Sequence, residues 1–494
     1  MDYFDNKHPD PQADRQAPPP PVDLRLPSGF EPNDGQSNAF AVIFDRLQDP
    51  SPDTQVTTVA GPGGTGKTCL APLVAMNLRD PNRIRVQTPF GRAAVRVAEV
   101  FRKYGMPLPA FRVGTIHAAL YGRVTKDASA GQGHLRFSNP HAPAGPNDIV
   151  IIDELSTFSR KVWEDYRKHL PPTTKVLGLG DYCQLEPVND TWAFDLRRPT
   201  VELTEIMRQA LASGIIRAAN VVRIGSGVSN LQWTNIAEVA EVMYSSDKNW
   251  NSFDDLSDPA DGSDSDCLFL DGCNLARAAD FVTTARSVGD DTIFITFTND
   301  SVNRANDHVA RRLREAGVID RQTQADPACR KLHMAASIAI GDRIIGRRNN
   351  YDLGWMNGEI LTVLDVEVVV LPNRMQAIGL DLWGDERRAL LLPAGPIFNE
   401  DGLKANEIIH PKRRPGKPAP AGDNPFVDWS FVLCSRGEAV TIHRFQGSEA
   451  DYAMLYIDGA TNRMRTNDRD GWRRLVYTGM SRACRRLVVA GDLR

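Results

Sequence analysis

The octapeptide GPGGTGKT, residues 61–68, stands between an apolar β-type run from Val56 to Ala60 and a helix-like stretch from Cys69 to Leu78. Strand, small-residue loop and helix in that order commit this part of the chain to a parallel α/β unit. Small residues at Gly61, Gly63, Gly64, Thr65 and Gly66 let consecutive backbone N–H groups curl around phosphates at a helix N-terminus. Lys67 adds a point charge, and the Thr68 hydroxyl suits a Mg²⁺ ion. The expected chemistry is hydrolysis of a nucleotide.

Short β-type runs alternate with helical stretches from Gln55 onward: IRVQTP at 84, DIVIID at 148 and KVLGLGD at 175. The same kind of run returns as TIFITFT at 292, YAMLYID at 452 and RLVVAGD at 486. Such alternation predicts parallel sheets flanked by helices, twice over. Between them, Asp342 to about Val432 holds alternating stretches such as ILTVLDVEVVVL and a PKRRPGKPAPAGDNP loop, the pattern of a small β-rich insertion. Residues 1 to about 28, with prolines at 18 to 21, read as a disordered or extended tail, and the acidic segment Ser245 to Asp266 as a solvated loop.

At 494 residues and 41% hydrophobic content the chain can bury two or more cores, and no apolar run approaches bilayer length. The expectation is a soluble, multidomain protein with no membrane partner. Seven cysteines without a CxxC pair or metal-ligand spacing, and no signal peptide ahead of them, fit reduced thiols in a cytoplasm-like compartment. A formal charge of −4 provides no global attraction to nucleic acid, so such binding needs a local basic track and should be salt-dependent.

DIVIIDELS delivers Asp153 and Glu154 to the C-terminal edge of the sheet, opposite the phosphate loop. One carboxylate can position Mg²⁺ and the other can orient or deprotonate the attacking water. KVLGLGD leads into GDYCQLEPV, where the Gln184 amide can sense a γ-phosphate. Phosphoryl transfer also needs positive charge on the developing equatorial oxygens, for which Arg208 in LTEIMRQ and Arg482 in YTGMSRA are the candidates.

Read in order, GPGGTGKT, TPFGRAA, GTIH, DIVIIDE, GDYCQLEPV, LTEIMRQ, TFTNDSVN, NGE, TIHRFQGSE and YTGMSRA resemble the motif set of superfamily 1 helicases, from Gln36 to the C-terminus. QLEPV after GD, and Gln446 in HRFQGSE, are similar to the 1B branch that contains RecD and Dda, with the nearest likeness to phage Dda-type enzymes. The resemblance implies two RecA-like domains: 1A over 29–215 with a pin-like 1B insertion at about 118–146, and 2A over 216–341 and 433–494. The β-rich 342–432 would be an SH3-like 2B insertion. It implies ATP and Mg²⁺ as cofactors, with Gln36 reading adenine, Lys67, Thr68, Asp153 and Glu154 as the hydrolytic core, and Thr68 and Asp153 holding the metal. Gln184, Arg208, Gln446 with Gly447, and Arg482 would surround the γ-phosphate in the cleft between the lobes.

The same resemblance implies single-stranded DNA crossing both domains, touching Thr88, Pro89, Phe90, Thr115, His117, Thr441 and His443. Hydroxyls and amides suit phosphates, and Phe90, where relatives place a small or hydroxylated residue, can stack a base for about 1–3 kcal/mol. In LYGRVTKDASAGQGHLRFSN, two β-like arms flank a Gly131-Gln132-Gly133 turn; as the duplex-splitting pin they would present Leu135 or Phe137 as an apolar wedge. Glu186 departs from the arginine or proline common at its place. The leading expectation is an ATP-dependent 5′ to 3′ DNA translocase and helicase, monomeric, in the cytoplasm, or a host's if phage-encoded. Replication, repair or recombination would be its setting, beside single-strand-binding or replication proteins at strand junctions. The alternatives are an RNA translocase of the same branch and a nucleic-acid-binding protein that uses ATP only as a switch. A packaging motor with one catalytic domain leaves TIHRFQGSE and YTGMSRA unexplained.

Overall fold

The computed structural model describes residues 31–78, 80–109, 112–121, 123–126, 135–138, 143–207, 213–224, 267–319, 339–346, 358–370, 376–383, 387–393, 434–491 and 493. The proline-rich tail, the acidic segment from Ser245 to Asp266 and Arg208 lie outside them.

The first lobe is a six-stranded sheet of β1 (Val56–Ala60), β2 (Ile84–Thr88), β3 (Val113–Thr115), β6 (Ile149–Ile152), β7 (Lys175–Gly180) and β8 (Val201–Glu202). The spatial order is β3-β2-β6-β7-β1-β8 and every pairing is parallel. Continuous apolar runs such as IVII in β6 are buried along their whole length because helices cover both faces. Helices α1 (Asp34–Gln48), α2 (Leu70–Met76) and α3 (Gly91–Lys103) cover one face, meeting the strands through Phe40, Ile43, Leu73, Val97 and Phe101. The other face packs under α4 (Ile116–Tyr121) and α5 (Arg160–Lys168) through Ile116, Leu120, Phe158 and Tyr166. Each such side chain, fully buried, contributes about 1.5–3 kcal/mol of transfer free energy. α1 starts where Asn33 and Gln36 form a reciprocal capping box.

Within this lobe β4 (Arg123–Lys126) and β5 (Leu135–Ser138) pair antiparallel, Val124 facing Phe137 and Lys126 facing Leu135. The turn proposed at Gly131-Gln132-Gly133 lies outside the described residues.

The second lobe holds α6 (Gly214–Ile224), β9 (Cys267–Asp271), α7 (Leu275–Ser287), β10 (Thr292–Thr296) and α8 (Asn299–Glu315). After an excursion it resumes with β16 (Ala439–Thr441), β17 (Ala450–Ile457), α9 (Gly459–Asn467), α10 (Arg469–Met480) and β18 (Ala483–Gly491). Its sheet, again parallel throughout, runs β16-β10-β17-β18-β9. α7 and α8 pack on one face through Phe281, Val282, Val309 and Leu313. On the other, α6 and α10 bury Ile215, Val222, Trp472, Val476 and Met480 in one apolar cluster with Cys183 and Leu185 of the first lobe. The two lobes therefore share a core at the GDYCQLEPV loop.

The excursion is antiparallel, in the order β14-β13-β12-β11-β15. It comprises β11 (Arg343–Gly346), β12 (Ile360–Val370), β13 (Gln376–Trp383), β14 (Arg387–Pro393) and β15 (Cys434–Arg436). Pairing of Ile345 with Ser435 closes the sheet slightly beyond the boundary read from sequence, because a three-residue strand has too few positions to show an alternating pattern. Among the described residues, no helix is long and apolar enough to cross a membrane.

A candidate nucleotide site between the lobes

β7 lies between β1 and β6, so the loops that leave these three strands meet at the C-terminal edge of the sheet, where open α/β folds bind ligands. The loop after β1 depends on Gly66. Its φ is +74°, and a Cβ there would fall 2.4 Å from Gln36 Nε2, so both backbone and space exclude a side chain. Gln36 is buried, donates from Nε2 to the Thr65 carbonyl at 2.8 Å and accepts the Asn33 N–H at 3.0 Å. Its amide thus braces the phosphate loop. Lys67 Nζ donates to the Gly61 and Pro62 carbonyls at 2.7 and 2.8 Å, and the Thr68 hydroxyl donates to Asp153 Oδ2 at 3.1 Å.

Glu154 follows β6 in the left-handed region at φ +57°, a conformation that costs a residue with a side chain about 1–3 kcal/mol and gathers at functional sites. Its N–H donates to Asp153 Oδ1 at 2.9 Å. Burial, and then the neighbouring Glu154, push the Asp153 carboxyl above the usual carboxylate range, while burial lowers the Lys67 ammonium against the pull of Asp181, Asp153 and Glu154. An acid whose pKa is raised by folding stabilises the fold below its unfolded pKa and loses that contribution as pH rises through the folded value. Asp153→Asn, which fixes the neutral form, is therefore expected to raise the melting temperature at pH 8 while removing hydrolysis, with a smaller gain at pH 5. Thermal scans at both pH values check this; a variant less stable than wild type at pH 8 would contradict the electrostatic reading.

The second lobe enters this site through α10 and the residues just after it. Arg482 is 2% exposed; Nε donates to the Thr478 carbonyl at 3.1 Å, Nη2 to Ser481 Oγ at 3.0 Å, and Nη1 lies 3.5 Å from Glu154 Oε1. The Tyr477 hydroxyl donates to Asp181 Oδ2 at 2.6 Å and accepts the Gly63 N–H at 3.1 Å. Thr478 Oγ1 accepts the Leu185 N–H at 3.2 Å. A turn earlier, Arg474 donates to the carbonyls of Tyr182 and of Gln184, the latter at 3.1 Å, pairs with Glu186 at 3.2 Å and lies 4.9 Å from the Trp192 ring centre. Positions 474, 477, 478 and 482 recur at helical spacing, so one side of α10 and its C-terminal extension grips the first lobe. Buried Gln446 precedes Gly447, whose φ is +71° and whose Cβ would stand 3.0 Å from that of Ala93. This close approach brings TIHRFQGSE against the start of α3.

Hydroxyls expected on the DNA path behave differently. Thr88 and Thr115 are 0% and 1% exposed; Thr88 donates to the Phe90 carbonyl at 2.6 Å, and Thr115 accepts the Ala118 N–H at 3.2 Å. Both shape the turns that leave β2 and β3, where unpaired backbone groups need partners. Thr441 is buried at the end of β16. His117 and His443 reach the surface, with Pro89 and Phe90 half-buried, and partial burial of the imidazoles lowers both pKa values. Leu135 and Phe137 sit two apart on β5. The chain before Arg208 is tied to the phosphate loop, Met207 N–H donating to the Gly64 carbonyl at 3.0 Å.

Asp181, Tyr477, Arg474 and Arg223 were not singled out by sequence. Asp181 directly follows a buried strand as Asp153 does, and Tyr477 lies within YTGMSRA, so both carried a usable signal. Arg223 on α6, 3.4 Å from Asp181, had none.

Two parallel-sheet lobes, one carrying a phosphate loop that the other approaches, are the build of a P-loop nucleotide-binding protein. The AAA domain family matches residues 33–240 and the UvrD-like helicase C-terminal domain matches residues 437–490. The chain is 29% identical over 191 residues to the ATP-dependent RecD2 DNA helicase of Deinococcus radiodurans, covering 38% of this chain and 24% of that protein. It is 26% identical over 160 residues to the ATP-dependent DNA helicase dda of Enterobacteria phage T4, covering 31% and 33%. With the RecBCD enzyme subunit RecD of Mycolicibacterium smegmatis it shares 23% over 460 residues, 88% and 68% of the two chains. A crystal structure of Bacteroides Pif1 bound to ssDNA aligns over 94% of this chain and 92% of that one at 15% identity and TM-score 0.48. The chain thus spans about a quarter and a third of the first two relatives. In these segments the chain is similar to ATP-dependent DNA helicases of the RecD and Dda kind.

Proposed function

We propose that this protein is an ATP-dependent motor that moves 5′ to 3′ on single-stranded DNA and separates duplex at single-strand junctions. One observation carries the reading: the Arg482 guanidinium, supplied by the second lobe, stands 3.5 Å from Glu154 in the first. A hydrolytic site divided in this way converts the loss of a phosphate into relative motion of two lobes. Lys67 and the loop amides would hold the phosphates, and Glu154 would orient the attacking water. Gln184 and Gln446 would face the γ-phosphate, with Arg482 and Arg208 neutralising its developing charge. The hard oxygen donors of Thr68 and Asp153, already 3.1 Å apart, fit Mg²⁺, which when bound neutralises phosphate charge.

The direction of travel is supported by the resemblance of QLEPV and Gln446 to the 1B group. For the DNA path we favour His117, His443, Pro89 and Phe90. The buried Thr88, Thr115 and Thr441 support that path from beneath. The hairpin of β4 and β5 is assigned as the 1B pin, and the antiparallel sheet from β11 to β15 as the 2B insertion. A monomer in the cytoplasm suffices for all of this. Paired substrates with a 5′ or a 3′ single-stranded overhang test the reading: unwinding should need ATP and the 5′ overhang. Preference for the 3′ overhang would reject the polarity, and equal or greater activity on RNA would favour an RNA translocase.

A further inference from the structure

Tyr477 belongs to the second lobe, yet its hydroxyl lies in the phosphate loop of the first. A phenol has one proton to donate, and here that proton is directed to Asp181 Oδ2 at 2.6 Å. Asp181 is held in turn by the Cys183 N–H at 3.0 Å and by Arg223 at 3.4 Å, both on Oδ1. Toward Gly63 the hydroxyl is therefore an acceptor, taking that N–H at 3.1 Å. Gly63 is the third residue of GPGGTGKT, on the outer limb of the loop, whereas residues 66–68 run into the helix. Loop amides of this kind are donors for phosphate oxygens. One N–H cannot fully serve two acceptors. A terminal phosphate and Tyr477 compete for it, and a diphosphate, one group shorter, leaves it with Tyr477.

We propose that Tyr477 is a positioning residue that senses the terminal phosphate: a triphosphate takes the Gly63 N–H from the Tyr477 hydroxyl and so uncouples α10 from the phosphate loop. α10 stays attached to the Gln184 loop through Tyr477–Asp181, Thr478–Leu185 and Arg474–Gln184. Gln184 and Arg482 then move as one body relative to Lys67. This rests on reading GPGGTGKT as the ATP-binding loop.

The test compares full-length wild type with Tyr477→Phe, using AMP-PNP and ADP as probes with Mg²⁺, and steady-state ATP turnover. Loss of one competing hydrogen bond should tighten AMP-PNP roughly 2- to 10-fold with ADP almost unchanged. In turnover, KM for ATP and kcat should both fall, because the substrate binds more readily while Arg482 loses its guide. A merely structural role would weaken both nucleotides together, and an unchanged AMP-PNP to ADP ratio overturns the inference while leaving the ATP site standing. If wild type binds neither nucleotide, the site and the inference fall together. Should the variant not fold, amide hydrogen exchange of residues 473–482 in wild type decides: a difference between the AMP-PNP and ADP states is expected, and identical exchange overturns the proposal.

Discussion

Lys67→Ala is expected to abolish ATP turnover while leaving the fold intact. Nζ makes two hydrogen bonds, both to carbonyls of its own loop, and burial already disfavours its charge. Its removal therefore takes away a desolvated cation rather than a structural pair, and the melting temperature should shift little. Fixed positive charge at a developing phosphate charge works in a dry site, where one preorganised donor is worth about 10²–10³ in rate. A lysine that also draws the phosphates into the loop should cost more than that. Steady-state hydrolysis alongside a thermal scan checks both halves. A folded variant with near-normal turnover would show that the phosphates lie elsewhere.

Arg482→Ala should separate hydrolysis from binding. The guanidinium reaches Glu154 from the other lobe, and its hydrogen bonds go to Thr478 and Ser481 rather than to residues 61–68. Nucleotide affinity should therefore change modestly while the chemical step slows by about 10³–10⁵, the range of an arginine finger. Arg482→Lys should not restore it, because a point charge cannot bond Thr478, Ser481 and a phosphate at once. Single-turnover hydrolysis with a separate nucleotide titration makes the distinction. Full turnover in Arg482→Ala would end the finger assignment.

The parts legible in the sequence share one property: their signal is local. A phosphate loop, buried strands such as IVII and carboxylates at strand ends depend on residues a few positions apart, so Lys67, Thr68, Asp153 and Glu154 stand out as candidates from the sequence, and the fold brings Thr68 to Asp153. What escaped depends on distance along the chain. Tyr477 and Gly63 are 414 residues apart, and no periodicity announces that a helix of one lobe will place a phenol in a loop of the other. Arg223 meets Asp181 across 42 residues. Thr88 and Thr115 show a different limit: a hydroxyl at a strand end reads equally well as a phosphate contact or a local cap, and here both bond backbone groups inside the turn. Short strands such as β15 and β16 were missed because three residues carry almost no pattern.

ATP turnover of the purified chain, with and without single-stranded DNA, shows whether the divided site is coupled to DNA. If DNA laid across both lobes steadies the approach of Arg482 to Glu154, added single strands should raise kcat at least about tenfold, a shift of 1.4 kcal/mol in the barrier, and raised salt should weaken the effect. Hydrolysis that proceeds at the same rate whether or not DNA is present would contradict it.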